Sequence, residues 1–598
     1  MSIDALFAPL SNATGVRIPE IKMVSTFLIS YPLASLHTRI PKTRPNLAHL
    51  YNIAVSVFFI WPFLGMGAGM AHLMLDIGVT YGLVVGSRDR RMPWAVFGFV
   101  MGHLFLMHAH RYVFGLDENT SDITFAMMMM AQKLTMFAWN VQDGRTKAED
   151  LDASQMATRL LHVPSPLAYL GYCFFFPSAL AGPTFDYATY DSLILHKLYD
   201  QSPPPSSSSS KKSDTPAPRR IPYGRKRVAY LYLVLGVGFM GIFAAFGGQA
   251  SFHRILTPAW DNWGWATRFA FIQFAGLVAR TKYYGVWSFT EGACILTGVG
   301  FNGYDPKTGR TMWNRVRNVN IISLETAESF KVVFDNWNCR TNVWLRDCVY
   351  KRLVQKGKKP GSMQSMATFL TSALWHGVEP GYYLAFLTAG LIVSLGRQMR
   401  NYVRPYFLPP SSAPTSAPNS FPQYPYPNTR KRIYDILGWL VVQANLNYIV
   451  SAFFLLNLRD CIKAYHRMGW YSHILIAGSL VFFHFGGRRA LRAGLPAQAG
   501  TGGKGKVKSG GKDKERLDVS TPRVTVEPPS PVDMPPQPRE EVDSRDLKWV
   551  RHALENQQTG HEAEGMGGGA GFVDQVMKGT ETPMVETPRY GRSGSPGF

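Results

Sequence analysis

The sequence predicts an all-α polytopic membrane protein, and three observations carry that prediction. First, Leu50–Leu75 runs 26 residues and Ile436–Leu458 runs 23 without a charged side chain, and Ala229–Phe246 adds 18. About 20 such residues cross a hydrocarbon core. Second, these runs exceed strand length and show no alternation, so helices rather than a barrel are expected. Third, the basic residues behind the net charge of +23 gather beside apolar runs, at Arg219-Arg220, Arg225-Lys226-Arg227, Arg430-Lys431-Arg432 and Arg488-Arg489. That is the positive-inside pattern, and it reads as topology, with no nucleic-acid partner expected.

The elements follow in order. Residues 1–22 form an N-terminal segment ahead of a first apolar stretch, Met23–Leu36. Leu50–Leu75 and Pro93–Met107 come next, then Pro164–Ala181, Ala229–Phe246, Phe269–Ala279, Met366–Gly396, Ile436–Leu458 and Tyr471–Phe485. Counting the short stretches as tilted or re-entrant segments gives about eight to twelve spans. The membrane domain is therefore 23–487, interrupted by Pro/Ser-rich segments at 201–227 and 403–432 that read as disordered loops. From 488 to 598 apolar content falls away, and a disordered, basic and polar cytosolic tail is expected. No basic n-region with a short apolar core and cleavage site opens the chain, so the first span is expected to direct insertion. The five cysteines show neither paired spacing nor a metal-ligand pattern, so neither a disulfide framework nor a metal site is expected.

Two polar clusters stand out against this apolar setting. One is Trp375-His376-Gly377; the other is Trp337-Asn338-Cys339-Arg340-Thr341-Asn342. Between them, Gln355–Gly361 holds two glycines, a proline and three lysines, which is turn chemistry. Helices over Cys339–Val354 and Ser362–Trp375 would be about 24 and 21 Å long. Arms so nearly equal return the chain to its starting level, with Asn338 and His376 facing each other at one end.

Such a pair suits acyl transfer to an alcohol. A neutral His376 takes the hydroxyl proton as general base and later protonates the leaving group; the Asn338 amide stabilises the oxyanion. A thioester donor fits because thiolate leaves readily, and the scheme needs no metal. On spacing alone, a packing histidine and a helix-capping or interhelical asparagine are the commoner account. Cys339 offers a covalent alternative, disfavoured because an apolar setting keeps a thiol protonated. Arg340, Arg346, Lys351, Arg352, Lys356, Lys358 and Lys359 are candidates for anionic phosphates, Arg346 and Arg352 foremost. A juxtamembrane basic cluster is the competing account. Glu291, in an apolar glycine-rich stretch, is a candidate orienting group, Trp337 and Trp375 are candidate substrate contacts, and Met127–Met130 is soft packing material.

The segments Trp337–Arg346 and Leu374–Tyr382 resemble the signature of membrane-bound O-acyltransferases, and more narrowly the lysophospholipid acyltransferase branch with its broad-specificity fungal enzymes. Lys133-Leu134-Thr135 with Ala138-Trp139-Asn140 and Asp143-Gly144, Gly182–Tyr187, and Tyr283–Trp287 with Glu291-Gly292-Ala293 match as well. The resemblance covers most of 45–487. It implies a multi-helix bundle around a buried reaction chamber in the endoplasmic reticulum, with catalytic positions at Asn338 and His376. It also implies acyl-CoA as co-substrate with no further cofactor, and lysophosphatidylcholine, lysophosphatidylethanolamine and related lipids as acceptors, acylated at sn-2. A neutral lipid alcohol as acceptor is the runner-up, and a lipid transporter or scramblase the alternative of another class. The sequence is silent on oligomeric state.

Overall fold

The structure, a computed structural model, describes residues 3–115, 122–200, 221–306, 308–354, 361–408 and 429–494. All of them fall in one compact unit, and every regular element among them is a helix. α1 (Ile3–Thr14) and α2 (Ile18–His37) open the chain, so helix begins well inside the expected N-terminal segment 1–22. α3 (Pro45–Phe58) widens into a π turn over Phe59–Phe63, then α4 (Gly67–Gly86) and α5 (Met92–Val113) follow. The apolar run Leu50–Leu75 is therefore two elements. Pro62 sits in the π turn and brings no backbone donor, and Gly65 takes a φ of +78° that a side chain would resist.

α6 (Thr124–Gly144) is buried on nearly every face, polar residues included. It is an internal strut and not a lipid-facing span. Three short helices follow, each started by a side-chain cap: α7 (Ala153–Thr158) by Asp152, α8 (Pro166–Cys173) by Ser165, and α9 (Tyr187–Ile194) by Asp186. α10 (Arg225–Phe246) is largely exposed, as a lipid-facing helix should be, and packs along α11 (Trp265–Thr297), which at 33 residues is about 50 Å long.

The second half continues with α12 (Ile321–Glu325), α13 (Phe330–Asn336) and α14 (Cys339–Trp344). α14 runs on through a π turn, Leu345–Tyr350, and a 3-10 turn, Lys351–Leu353. Then come α15 (Ser362–His376), α16 (Pro380–Tyr402), α17 (Thr429–Leu455), α18 (Leu458–Arg467), α19 (Tyr471–Phe482) and α20 (Arg488–Ala493). Six segments among the described residues are long and apolar enough to cross a membrane: 45–63, 67–86, 92–113, 225–246, 429–455 and 471–493. α2, α6, α11 and α16 each have 20 residues or more but carry more polar side chains.

Helix boundaries fall inside the segments expected to be loops. α10 starts at Arg225, α17 at Thr429, and Arg404–Phe407 forms a 3-10 turn. α20 likewise occupies the first residues of the expected tail. Arg225-Lys226-Arg227 and Arg430-Lys431-Arg432 occupy the first turns of α10 and α17, and Lys431 pairs one turn along with Asp435. Residues 201–220, 409–428 and 495–598, the remainder of those segments, lie outside the described residues.

Two apolar cores are stitched together by α11. Its C-terminal half, Phe289 to Leu296, packs with α3–α6, α8, α9, Trp344 and Trp375. Its N-terminal half, Ile272 to Trp287, packs with α13, α16, α17 and α18. The polar clusters singled out above sit where these two cores meet.

Candidate active site

His376 is the last residue of α15. Its ring stands beside those of Trp375 (4.6 Å between centroids), Phe386 (4.9 Å), Phe453 (5.1 Å) and Tyr382 (5.7 Å). Nδ1 lies 2.7 Å from the carbonyl oxygen of Ser372. A carbonyl only accepts, so Nδ1 carries the proton and Nε2 of the neutral ring is left with a lone pair. Gly377 then turns the chain into α16; a Cβ there would collide with the Glu379 carboxylate and the Tyr382 ring. Trp375 is buried and donates from Nε1 to the Met128 carbonyl at 2.8 Å, which ties the histidine's turn to α6.

Asn338 sits in the break between α13 and α14. Its backbone is left-handed, with φ +45° and ψ +51°, a conformation asparagine tolerates better than other residues with a side chain. Four hydrogen bonds fix this break. Asn342 donates from Nδ2 to the Phe334 and Trp337 carbonyls. The Cys339 N–H donates to the Asn318 carbonyl at 2.7 Å. The Asn318 N–H in turn donates to Oε2 of the buried Glu291 at 3.1 Å. The Asn338 carboxamide itself makes no hydrogen bond to a described residue and is only partly buried. It is therefore a donor without a structural duty.

Asn338 and His376 do not bond to each other; a row of rings joins them. Trp337 contacts Tyr283 at 5.5 Å, Tyr283 contacts Phe454 at 6.4 Å, Phe454 contacts Phe453 at 6.1 Å, and Phe453 contacts His376. The expected hairpin is present, with α15 packed against the π turn that follows α14, while most of its turn, residues 355–360, lies outside the described residues. Trp344 and Trp375 meet at 6.0 Å. Counting residues from that contact staggers Asn338 and His376 by about 8 Å along the hairpin. A base and an oxyanion donor act on different atoms, so a gap between them is what the chemistry requires.

The cations expected to bind phosphate are already engaged. Arg352 grips Asp143 with two bonds, 2.7 and 2.6 Å, and lies 4.2 Å over the Trp139 ring. Arg346 pairs with Asp347 at 2.7 Å, and Lys351 bridges Asp347 (2.9 Å) and Asp152 (2.8 Å). Burial alone would raise both acids. Lys351 and local hydrogen bonds instead bring Asp152 down to about 2, and Arg346 with Lys351 holds Asp347 below the usual carboxylate range. Arg340 donates to the Thr184 carbonyl at 2.6 Å. Lys356, Lys358 and Lys359 lie outside the described residues. Cys339 is fully buried, and burial pushes its thiol up to about 12, which counts against it as a nucleophile near neutral pH.

Sequence reading missed the polar strut behind the site. Gln132 of α6 donates to Thr341 Oγ1 at 2.9 Å and accepts from Thr184 Oγ1 at 2.6 Å, and Trp344 donates to Thr135 Oγ1 at 2.8 Å. The blocks containing Thr135 and Thr184 were visible; that both lock onto α14 was not.

A profile of the MBOAT, membrane-bound O-acyltransferase, family matches residues 111–421. A lysophospholipid acyltransferase of Schizosaccharomyces pombe is 35% identical over 482 residues, 81% of this chain and 89% of that one. One of Saccharomyces cerevisiae is 34% identical over 80% of this chain and 76% of its own. The human membrane-bound glycerophospholipid O-acyltransferase 2 is 30% identical, covering 80% of this chain and 87% of its own.

Proposed function

The chain belongs to the membrane-bound O-acyltransferase family, and from that premise we propose that it moves a fatty acyl chain from acyl-CoA to the free hydroxyl of a lysophospholipid in the endoplasmic reticulum membrane. It is a multi-pass membrane enzyme of the O-acyltransferase class, and lysophospholipid acyl transfer is its reaction.

In the proposed mechanism His376 Nε2 takes the acceptor's hydroxyl proton as that oxygen attacks the thioester carbonyl. The Asn338 amide donates to the oxyanion of the tetrahedral intermediate. The carbon–sulfur bond then breaks, and the departing thiolate takes the proton back from Nε2. The products are a diacyl phospholipid, acylated at sn-2, and free CoA, with no covalent acyl-enzyme. One observation carries this reading: the Ser372 carbonyl holds the Nδ1 proton and leaves Nε2 free to act as base.

The test is release of free CoA by purified protein, with lysophosphatidylcholine, lysophosphatidylethanolamine, lysophosphatidylserine, lysophosphatidate and cholesterol as acceptors. Turnover on lysophospholipids that vanishes in His376→Ala supports the proposal. Faster turnover of cholesterol than of any lysophospholipid overturns the acceptor assignment.

A further inference from the structure

With Arg346, Lys351 and Arg352 already bound to carboxylates, the phosphates of a nucleotide-bearing donor need other partners. α16 leads to them. It leaves the histidine at Tyr382 and Phe386 and ends at Tyr402, followed by the turn Arg404–Phe407. Arg397 and Arg400 are three residues apart on one face of α16, and Arg404 opens the turn that follows it. All three are half-buried.

None of the three makes an ion pair or hydrogen bond with a described residue, although acids are close by. Asp335 is bridged by Lys331 at 2.7 Å, and Glu328 and Asp435 both face Lys431. Arg400 feels the charges of Arg397 and Arg404 as well as that of Asp335, and Arg404 and Glu328 feel each other. Three half-buried guanidinium groups close enough to repel one another, none of them bonded to a carboxylate, are an arrangement that an anion stabilises. Space exists beside them, since a Cβ on Gly396 would meet only Arg400 Nη1, at 3.8 Å.

The distance also fits. Phe386 is level with His376, and Arg397 and Arg400 follow it by 11 and 14 residues, about 17 and 21 Å along the axis. A pantetheine arm has about thirteen bonds from sulfur to the first phosphorus, which at the extended-chain rise of ~3.5 Å per three bonds spans roughly 15 Å. The nucleotide's 3′-phosphate lies several ångströms farther on.

We propose that Arg397, Arg400 and Arg404 form a phosphate subsite that receives the nucleotide phosphates of the acyl donor while the thioester lies beside His376. The proposal rests on the acyl-CoA reading given above. The chemistry shared with a phospholipid headgroup is a phosphate ester, and the experiment separates the two sources.

Arg400→Gln, the triple glutamine variant and the conservative Arg400→Lys are purified in lipid nanodiscs. Their KM is measured for an acyl-CoA and for the corresponding acyl-3′-dephospho-CoA, with the phosphatidate content of the disc varied. The expected result is a KM for acyl-CoA raised about tenfold or more in the glutamine variants, with kcat held within about twofold and Arg400→Lys in between. A smaller rise for the dephospho donor places the 3′-phosphate in the subsite; an equal rise places the pyrophosphate there. Unchanged KM values with a lost response to phosphatidate would assign the subsite to lipid and overturn the donor assignment. Unchanged KM and unchanged lipid response would overturn the subsite itself. Thermal unfolding with free CoA needs no turnover: stabilisation of the wild type but not of the triple variant supports the subsite even if the acyl-transfer reading fails, and equal stabilisation of both refutes it.

Discussion

Asn338 has two reasons to be an asparagine, and substitutions can separate them. Its left-handed backbone, φ +45° and ψ +51°, costs a residue such as alanine about 1–2 kcal/mol, and glycine almost nothing. Its carboxamide, which bonds to no described residue, is the proposed oxyanion donor; losing one such donor costs about 2.7–4 kcal/mol, or a hundredfold to a thousandfold in kcat. Asn338→Gly removes the amide and keeps the backbone relaxed, while Asn338→Ala removes the amide and strains the turn. Both variants are therefore expected to fall by a similar factor in kcat, with only Asn338→Ala losing thermal stability. Asn338→Asp tolerates the left-handed turn but places an acceptor against the developing negative charge, so it is expected to be no better than alanine. The assay is single-donor CoA release at saturating lysophospholipid, with thermal unfolding of each variant in detergent. A glycine variant with near wild-type kcat would refute the argument, because it would mean that the residue is there for the turn alone.

Three further outcomes test the rest of the site. His376→Ala is expected to lower kcat by roughly a hundredfold or more at unchanged protein yield, since a positioned general base contributes about that much; CoA release with matched expression checks it. Arg352→Gln leaves the buried Asp143 without its partner, so it is expected to lower stability by about 3–5 kcal/mol, read as a lower melting temperature with the KM for acyl-CoA of the folded fraction unchanged. Cys339→Ala is expected to keep kcat within a few-fold, as the buried thiol forms no acyl intermediate; a dead but well-folded Cys339→Ala, or a radiolabelled acyl-enzyme trapped on the wild type, would reverse that.

Charge-free length was readable in advance: α5, α10 and α17 lie where Pro93–Met107, Ala229–Phe246 and Ile436–Leu458 predict them. The candidate pair was visible because a histidine and an asparagine are conspicuous among apolar neighbours. Partnerships across long sequence separations were not. Asp143 and Arg352 are 209 residues apart, and nothing local in either segment announces that one neutralises the other. Arg352 therefore looked like a phosphate ligand and proves to be bound. The tautomer of His376 is set by a backbone carbonyl, a group that every residue carries, so no sequence pattern could mark it. α6 was equally hard to place, since its run of methionines reads only as soft packing material and the packing of nearly every face reveals a strut.

The place of the site in the fold follows from a constraint on backbone rather than on side chains. Non-helical chain at membrane depth survives only where protein or a cavity covers it. Among the helix breaks of the described residues, those at Trp337-Asn338 between α13 and α14 and at Gly377–Glu379 between α15 and α16 both lie on the seam where the two apolar cores meet. At the first break Asn342, Asn318 and Glu291 satisfy the freed backbone groups and leave the Asn338 amide over. At the second, the Ser372 carbonyl accepts the hydrogen bond from Nδ1–H and leaves Nε2 over. The Asn338 amide is a donor on one side and Nε2 an acceptor on the other, and the proposed transfer between a thioester and an alcohol uses both.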